Sequence, residues 1–176
     1  NRLESRFLEP ACGDGNFLIE VLNRKLTILI NKYKKNQYEF EKNAVVVISS
    51  IYGVDILKDN TITARNRLFE RFIEVYKKYF NDHFNENLIK TISFIIEKNI
   101  IHGDALTLIE VDSSNPLTFC EWSIINNKLK RRDFTFSDLL TFAPWEKGTL
   151  FSDLGDDVYI PDPVREYPLV NFDKGF

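Results

Sequence analysis

The chain reads as an α/β protein built on an open, mostly parallel sheet. Two observations carry that expectation. Three short apolar runs alternate with long amphipathic stretches, and each run closes on an acidic residue: Glu9, Asp55 and Asp104. Strands joined by helical crossovers pair in parallel. In such a sheet ligands bind outside the carboxyl ends of the strands, so the three carboxylates are expected to share one site.

Residues 6–10 form the first apolar run, closed by Pro10. Gly13 and Gly15 follow, and a turn of this kind takes positive φ and lets backbone approach a ligand closely. From residue 16 to about 35, apolar side chains recur at Phe17, Leu18, Val21, Leu22, Leu26, Leu29, Ile30 and Tyr33. That is the spacing of a helix with one buried face. Its N-terminus offers free N–H groups and a positive dipole end to a carboxylate, while Glu9 suits a cationic group. A ligand carrying both charges, as an amino acid does, fits this arrangement better than a pyrophosphate.

Residues 39–50 are ambiguous, because Ala44-Val-Val-Val-Ile48 has strand propensity. Helix is favoured there, since a clearer strand, Ile51-Tyr-Gly-Val-Asp55, follows at once. Asp59 or Asn60 is then expected to cap a long helix. Its stripe is Ile62, the stem of Arg65, Leu68, Phe69, Phe72, Ile73, Tyr76 and Phe80. A second amphipathic stretch over 86–98 leads to the strand Asn99-Ile-Ile-His102 and to Gly103-Asp104-Ala105. Past residue 110 the pattern weakens. Leu117-Thr-Phe-Cys-Glu-Trp122 suits a fourth strand, and residues 133–140 a short helix or turn. From Pro144 onward, with Pro161, Pro163 and Pro168, irregular structure is expected.

A single domain over 1–176 is expected, with 1–110 as a cofactor-binding half and 111–176 as an irregular second half. The net charge of −3 means that any nucleic acid must be met by a local patch or by another domain. The 15 Phe are assigned to core packing rather than base stacking. Cys12, Cys120, His83 and His102 show no metal-ligand spacing, and two buried free thiols fit a reducing cytosol. No apolar run approaches the roughly 18 residues of a membrane span. The chain lacks an initiating Met, from which an internal segment of a longer product is expected.

Glu9-Pro-Ala-Cys-Gly-Asp-Gly-Asn-Phe17 closely resembles the first motif of S-adenosylmethionine-dependent DNA methyltransferases, particularly the adenine-N6 enzymes of bacterial restriction-modification systems. Tyr52-Gly-Val-Asp-Ile56 resembles their second motif and Asn99-Ile-Ile-His-Gly-Asp-Ala-Leu106 their third, in the expected order. The resemblance implies a Rossmann-like class I methyltransferase sheet of order 3-2-1-4-5, incomplete to the extent that the residues after the third motif are too few for seven strands and their helices. It implies S-adenosylmethionine as cofactor. Glu9 and the backbone around Ala11, Cys12 and Gly13 would hold the methionine moiety, and Gly15 would permit close approach. Asp55 would accept from both ribose hydroxyls, and Ile56 would pack on the adenine. Asp104 would accept from the adenine amine, with the Ala105 N–H nearby.

The departure lies in catalysis. The resembled enzymes carry an Asn/Asp-Pro-Pro-Tyr/Phe tetrad that grips the target amine and stacks on the flipped base. No such tetrad occurs in this sequence. Asn115-Pro116-Leu117 is the nearest match, against the plainer reading of a turn. Trp122 offers a stacking surface, against the plainer reading of core. Lys128, Lys130, Arg131 and Arg132 suit phosphate contacts, against a solvated loop. The expectation is a cytoplasmic DNA adenine-N6 methyltransferase acting on double-stranded DNA, with a possible partner subunit or a specificity or restriction component. The alternatives are an inactive S-adenosylmethionine-binding partner subunit and a methyltransferase acting on something other than DNA.

Overall fold

A computed structural model describes residues 2–141 and 162–173. β1 (Phe7–Glu9), β2 (Ile51–Asp55) and β3 (Ile100–Asp104) lie side by side in that order and run parallel. Both crossovers are helical. α1 (Asn16–Tyr33) and α2 (Gln37–Ser49) join β1 to β2, while α3 (Lys58–Phe80), a 3-10 turn (Asn81–His83) and α4 (Glu86–Asn99) join β2 to β3. The protein is therefore α/β.

The ambiguous segment is helix α2. Asn36 caps it by accepting from the Glu39 N–H at 3.1 Å, and Ala44, Val45, Val47 and Ile48 are all buried. Burial within a helical layer outranks the strand propensity of the valines. Helix α3 begins at Lys58, so Asp59 and Asn60 lie inside its first turn and neither is the cap expected of them. The approach to that helix is shaped instead by Asp55, whose Oδ1 accepts from the Leu57 N–H two residues on.

The sheet departs from the expected order 3-2-1-4-5. Strands 3-2-1 are contiguous, but the fourth member, β4 (Ile109–Glu110), is antiparallel and pairs with β3. Among the described residues β1 pairs with β2 alone. Residues 118–125 do form a strand, β5 (Thr118–Ile125), but not the fourth of the parallel sheet. It zips against β6 (Lys128–Thr135) in a second, antiparallel sheet completed by β7 (Arg165–Glu166). Asn126 and Asn127 both adopt positive φ, 50° and 60°, as a tight two-residue hairpin turn requires. The basic cluster is thus a strand rather than a loop, and a short helix, α5 (Phe136–Thr141), follows it. The expected irregular structure from residue 144 falls outside the described residues as far as 161.

Alternation along the central strands sends side chains to two apolar clusters. Ile51 and Ile100 face the larger one, among α1–α4, and Tyr52, Val54 and Ile101 face the smaller, with Leu117, Phe119 and Phe136. Two buried polar residues fasten the layers. Lys25, 7% exposed, donates from Nζ to the Leu3 and Ser5 carbonyls and to Ser50 Oγ. Asn99, 1% exposed, donates to the carbonyls of Ile48, Ser49 and Ile51 and accepts from Trp122 Nε1 at 2.8 Å. Among the described residues no helix is long and apolar enough to cross a membrane.

Candidate functional site

The three acidic residues terminate three adjacent parallel strands. Glu9 is in register with Gly53, and Asp55 with His102. Each carboxylate therefore lies two residues beyond its neighbour, a stagger of about 6.6 Å per strand at strand rise. They form a descending step along one edge of the sheet rather than a ring.

The glycine turn sits on that step. The Cys12 N–H donates to the Val54 carbonyl at 2.9 Å, and the Gly13 N–H to Asp55 Oδ2 at 2.8 Å. The turn after β1 is thus latched to the end of β2. Gly13 has φ +54°, and a Cβ placed there would meet nothing within 4 Å. Its demand for glycine is conformational, and the space before it is open. Gly15, at φ +85°, differs: a Cβ there would lie 3.0 Å from Ala64 Cβ on α3. Gly15 brings turn and helix together. It also precedes α1 without any side-chain cap, leaving that helix terminus to its backbone N–H groups.

Asp55 is 8% exposed and well occupied. Oδ1 accepts from the Leu57 N–H at 2.9 Å and Asn60 Nδ2 at 3.1 Å, besides the Gly13 bond on Oδ2. Of about four acceptor positions on a carboxylate, about one remains. Both hydroxyls of a ribose fit only if the Asn60 amide moves aside. Glu9 Oε1 accepts from the Ala11 N–H at 3.3 Å. Asp104 Oδ1 accepts from the Leu106 N–H at 2.8 Å and more weakly from that of Thr107, and the Leu106 bond leads in holding its carboxyl below the ordinary range. Cys12 packs beneath the turn, where burial and then Asp55 push its thiol up to about 12. It is a neutral thiol there, not a nucleophile.

Apolar groups stand exposed around these strand ends. Ile56 is 57% exposed, Leu57 60% and Leu106 94%, while Phe17 at the start of α1 is 55% exposed and lies 5.3 Å from Phe7, ring to ring. Ala105 is half-buried against the smaller cluster. Aromatic and aliphatic surface thus stands beside fixed carboxylates at this edge.

Three residues on α3 hold this region: Asn60, expected only as a helix cap, and Ala64 and Arg67, to which sequence reading assigns no role. Asn60 contacts Asp55, Ala64 meets Gly15, and Arg67 grips both Asp14 (Nη1 to Oδ2, 2.9 Å) and Asn16 (Nη2 to Oδ1, 2.8 Å). Their spacing of four and then three places them on one helix face. A polar face interrupted by a single alanine was the signal available.

Of the catalytic candidates, Trp122 is not brought to this edge, and Asn115 and Pro116 reach it only beside the end of β3, where Ile109 pairs with both Asp104 and Pro116. Trp122 is 6% exposed, bonded to Asn99 and packed edge-on against Phe94, so its ring is core and closed to a base. Asn115 and Pro116 occupy the exposed loop before β5, where Pro116 bridges Ile109 of β4. They flank the β3 side of the sheet, away from β1. The basic residues of β6 are engaged: Arg131 pairs with Asp133 and stacks on Tyr167, Arg132 pairs with Glu121, and Lys130 with Glu166. Among the described residues no three His, Cys, Asp or Glu side chains gather as metal ligands. No protein-family model, curated protein or solved structure matches the chain.

Proposed function

We infer that the strand-end step binds S-adenosylmethionine and that the chain is the cofactor-binding part of a DNA adenine-N6 methyltransferase. The observation that carries the cofactor reading is the open space before Gly13, bounded by a turn that Asp55 itself fixes. A methionine carboxylate suits the uncapped start of α1, and Glu9 suits the ammonium. A ribose hydroxyl takes the remaining acceptor position of Asp55, with Asn60 the donor it displaces when a second hydroxyl binds. Ile56 offers the adenine an apolar face, and Asp104 an acceptor for its exocyclic amine. When bound, the cofactor supplies an electrophilic methyl group, and the residues described here hold and orient it.

Adenine N6 and DNA enter through the three-motif resemblance alone. The same sequence lacks the Asn/Asp-Pro-Pro-Tyr/Phe tetrad, and that observation favours a second reading: a cofactor-binding partner subunit whose catalytic groups come from elsewhere. Incubation with methyl-labelled S-adenosylmethionine and unmodified genomic DNA separates the two. Label recovered in N6-methyladenine supports the enzyme. Saturable cofactor binding without transfer supports the partner subunit. A chain that neither binds the cofactor nor transfers the methyl group contradicts both.

A further inference from the structure

His102 lies on β3 in register with Asp55, its side chain 13% exposed. Its ring spans two segments that the strands do not connect. Nε2 lies 3.0 Å from the carbonyl oxygen of Ile56, and Nδ1 lies 3.1 Å from Asp112 Oδ2 in the loop between β4 and β5. Both partner atoms are acceptors only. A neutral imidazole carries one N–H and one lone pair, so it can satisfy only one of these contacts. Satisfying both requires the doubly protonated ring.

We propose that His102 is a proton-operated clamp: as imidazolium it ties the Ile56 carbonyl to Asp112, and on losing the Nε2 proton to solvent it lets the Ile56 segment go. The Nδ1 proton is the one retained, because a carboxylate accepts more strongly than a peptide carbonyl. After deprotonation a lone pair on Nε2 faces the Ile56 oxygen, and the contact turns repulsive. The charged groups on the neighbouring elements are these. Lys58 at the start of α3 lies 3.3 Å from the same Asp112 oxygen, and the Asp112 carboxyl is held below its ordinary range by His102 first and Lys58 next. Asp55 on β2 is turned to Gly13, Leu57 and Asn60, and Asp104 on β3 to Leu106. Glu110 on β4 stands opposite Gly103 and accepts from Ser113. Asp112 is thus the anion in contact with the ring, while Lys58 can hold Asp112 in its absence.

Ile56 is the residue offered to the adenine, so, resting on the cofactor reading above, the clamp makes His102 a positioning residue for the nucleoside. It touches no reacting atom. Its effect is to fix where the Ile56 side chain stands when the cofactor arrives.

The test is imidazole nitrogen NMR on the whole chain with a pH series, joined to cofactor titrations. In the clamped form both His102 nitrogens carry protons. As the pH rises, Nε2 loses its proton, and the backbone amides of residues 56–58 shift along the same curve. S-adenosylmethionine affinity falls about threefold to tenfold more in the wild type than in His102→Gln over that range, the worth of one hydrogen bond. The ligand's own titration is common to both proteins and cancels. A ring that carries both protons at no point of the series, or amides of 56–58 that ignore the loss of its Nε2 proton, overturns the clamp. Equal pH profiles in two proteins that both bind overturn its positioning role. If neither protein binds at any pH, the cofactor reading falls, and the ring and amide titrations alone uphold or overturn the clamp.

Discussion

Gly13 and Gly15, two residues apart, are glycines for different physical reasons, and alanine separates them. At Gly13 the added methyl group meets open space, so Gly13→Ala bears only the left-handed backbone cost of about 1–2 kcal/mol. At Gly15 the same cost is joined by a 3.0 Å approach to Ala64, and α3 must shift. Thermal melts should therefore place Gly15→Ala well below Gly13→Ala. Cofactor affinity should reverse part of that order, because the Gly13 methyl group fills the space in front of the turn; a Gly13→Ala protein that binds like wild type would remove that space from the site. Strand ends and glycines are local patterns, and so Glu9, Asp55, Asp104 and the turn were legible in the sequence. The grip of Arg67 on Asp14 and of Asn60 on Asp55 was not, because each joins groups brought together only by the packing of α3.

At the scale of elements, the parallel strands, α1, α3 and α4 follow from apolar periodicity and α2 only from the clearer strand behind it, while the β5–β6 hairpin is not legible as one. Lys128, Lys130, Arg131 and Arg132 disguised a strand as a basic loop. The informative residues were Asn126 and Asn127, a turn pair between two runs that carry Ile124 and Leu129 inward. Alternation of charged and apolar residues is as much a strand signal as a phosphate-binding one, and pairing partners decide between them. The hairpin account is open to direct measurement. Asn127→Gly relieves a positive φ and should raise stability by about 0.5 kcal/mol, whereas Asn127→Val, a β-branched residue at φ 60°, should lower it by about 1–2 kcal/mol. Urea unfolding midpoints that move in the opposite order contradict a two-residue turn. The engagement of Lys130, Arg131 and Arg132 by Glu166, Asp133 and Glu121 carries a second consequence: β6 is a poor grip for duplex DNA, and Lys130→Gln should leave any salt-dependent DNA binding nearly unchanged.

For the molecule as a whole, burial of neutral acids sets the alkaline limit. Cys12 and Cys120 are both pushed by burial from 9.0 to about 12, and burial raises Tyr52 and Tyr76 as well. The unfolded chain releases these protons first, so stability falls as pH climbs from about 9 towards 12. Lys25 works in the other direction: burial lowers it from 10.5 to about 8, the unfolded chain keeps that proton longer, and its contribution rises between about pH 8 and 10.5. Two thiols and two phenols outweigh one ammonium. Melting temperatures should decline above pH 9, less steeply in the Cys12→Ala, Cys120→Ala double variant; an equal slope in both proteins would contradict buried thiols. The central claim is that the staggered strand ends hold an adenosyl cofactor, and isothermal calorimetry with S-adenosylmethionine and its demethylated product tests it most directly. Wild type should bind either ligand saturably at one site, and Ile56→Ser, which removes an exposed side chain and so leaves the melt in place, should bind markedly more weakly. A folded wild-type chain that releases no saturable heat with either ligand would contradict the account.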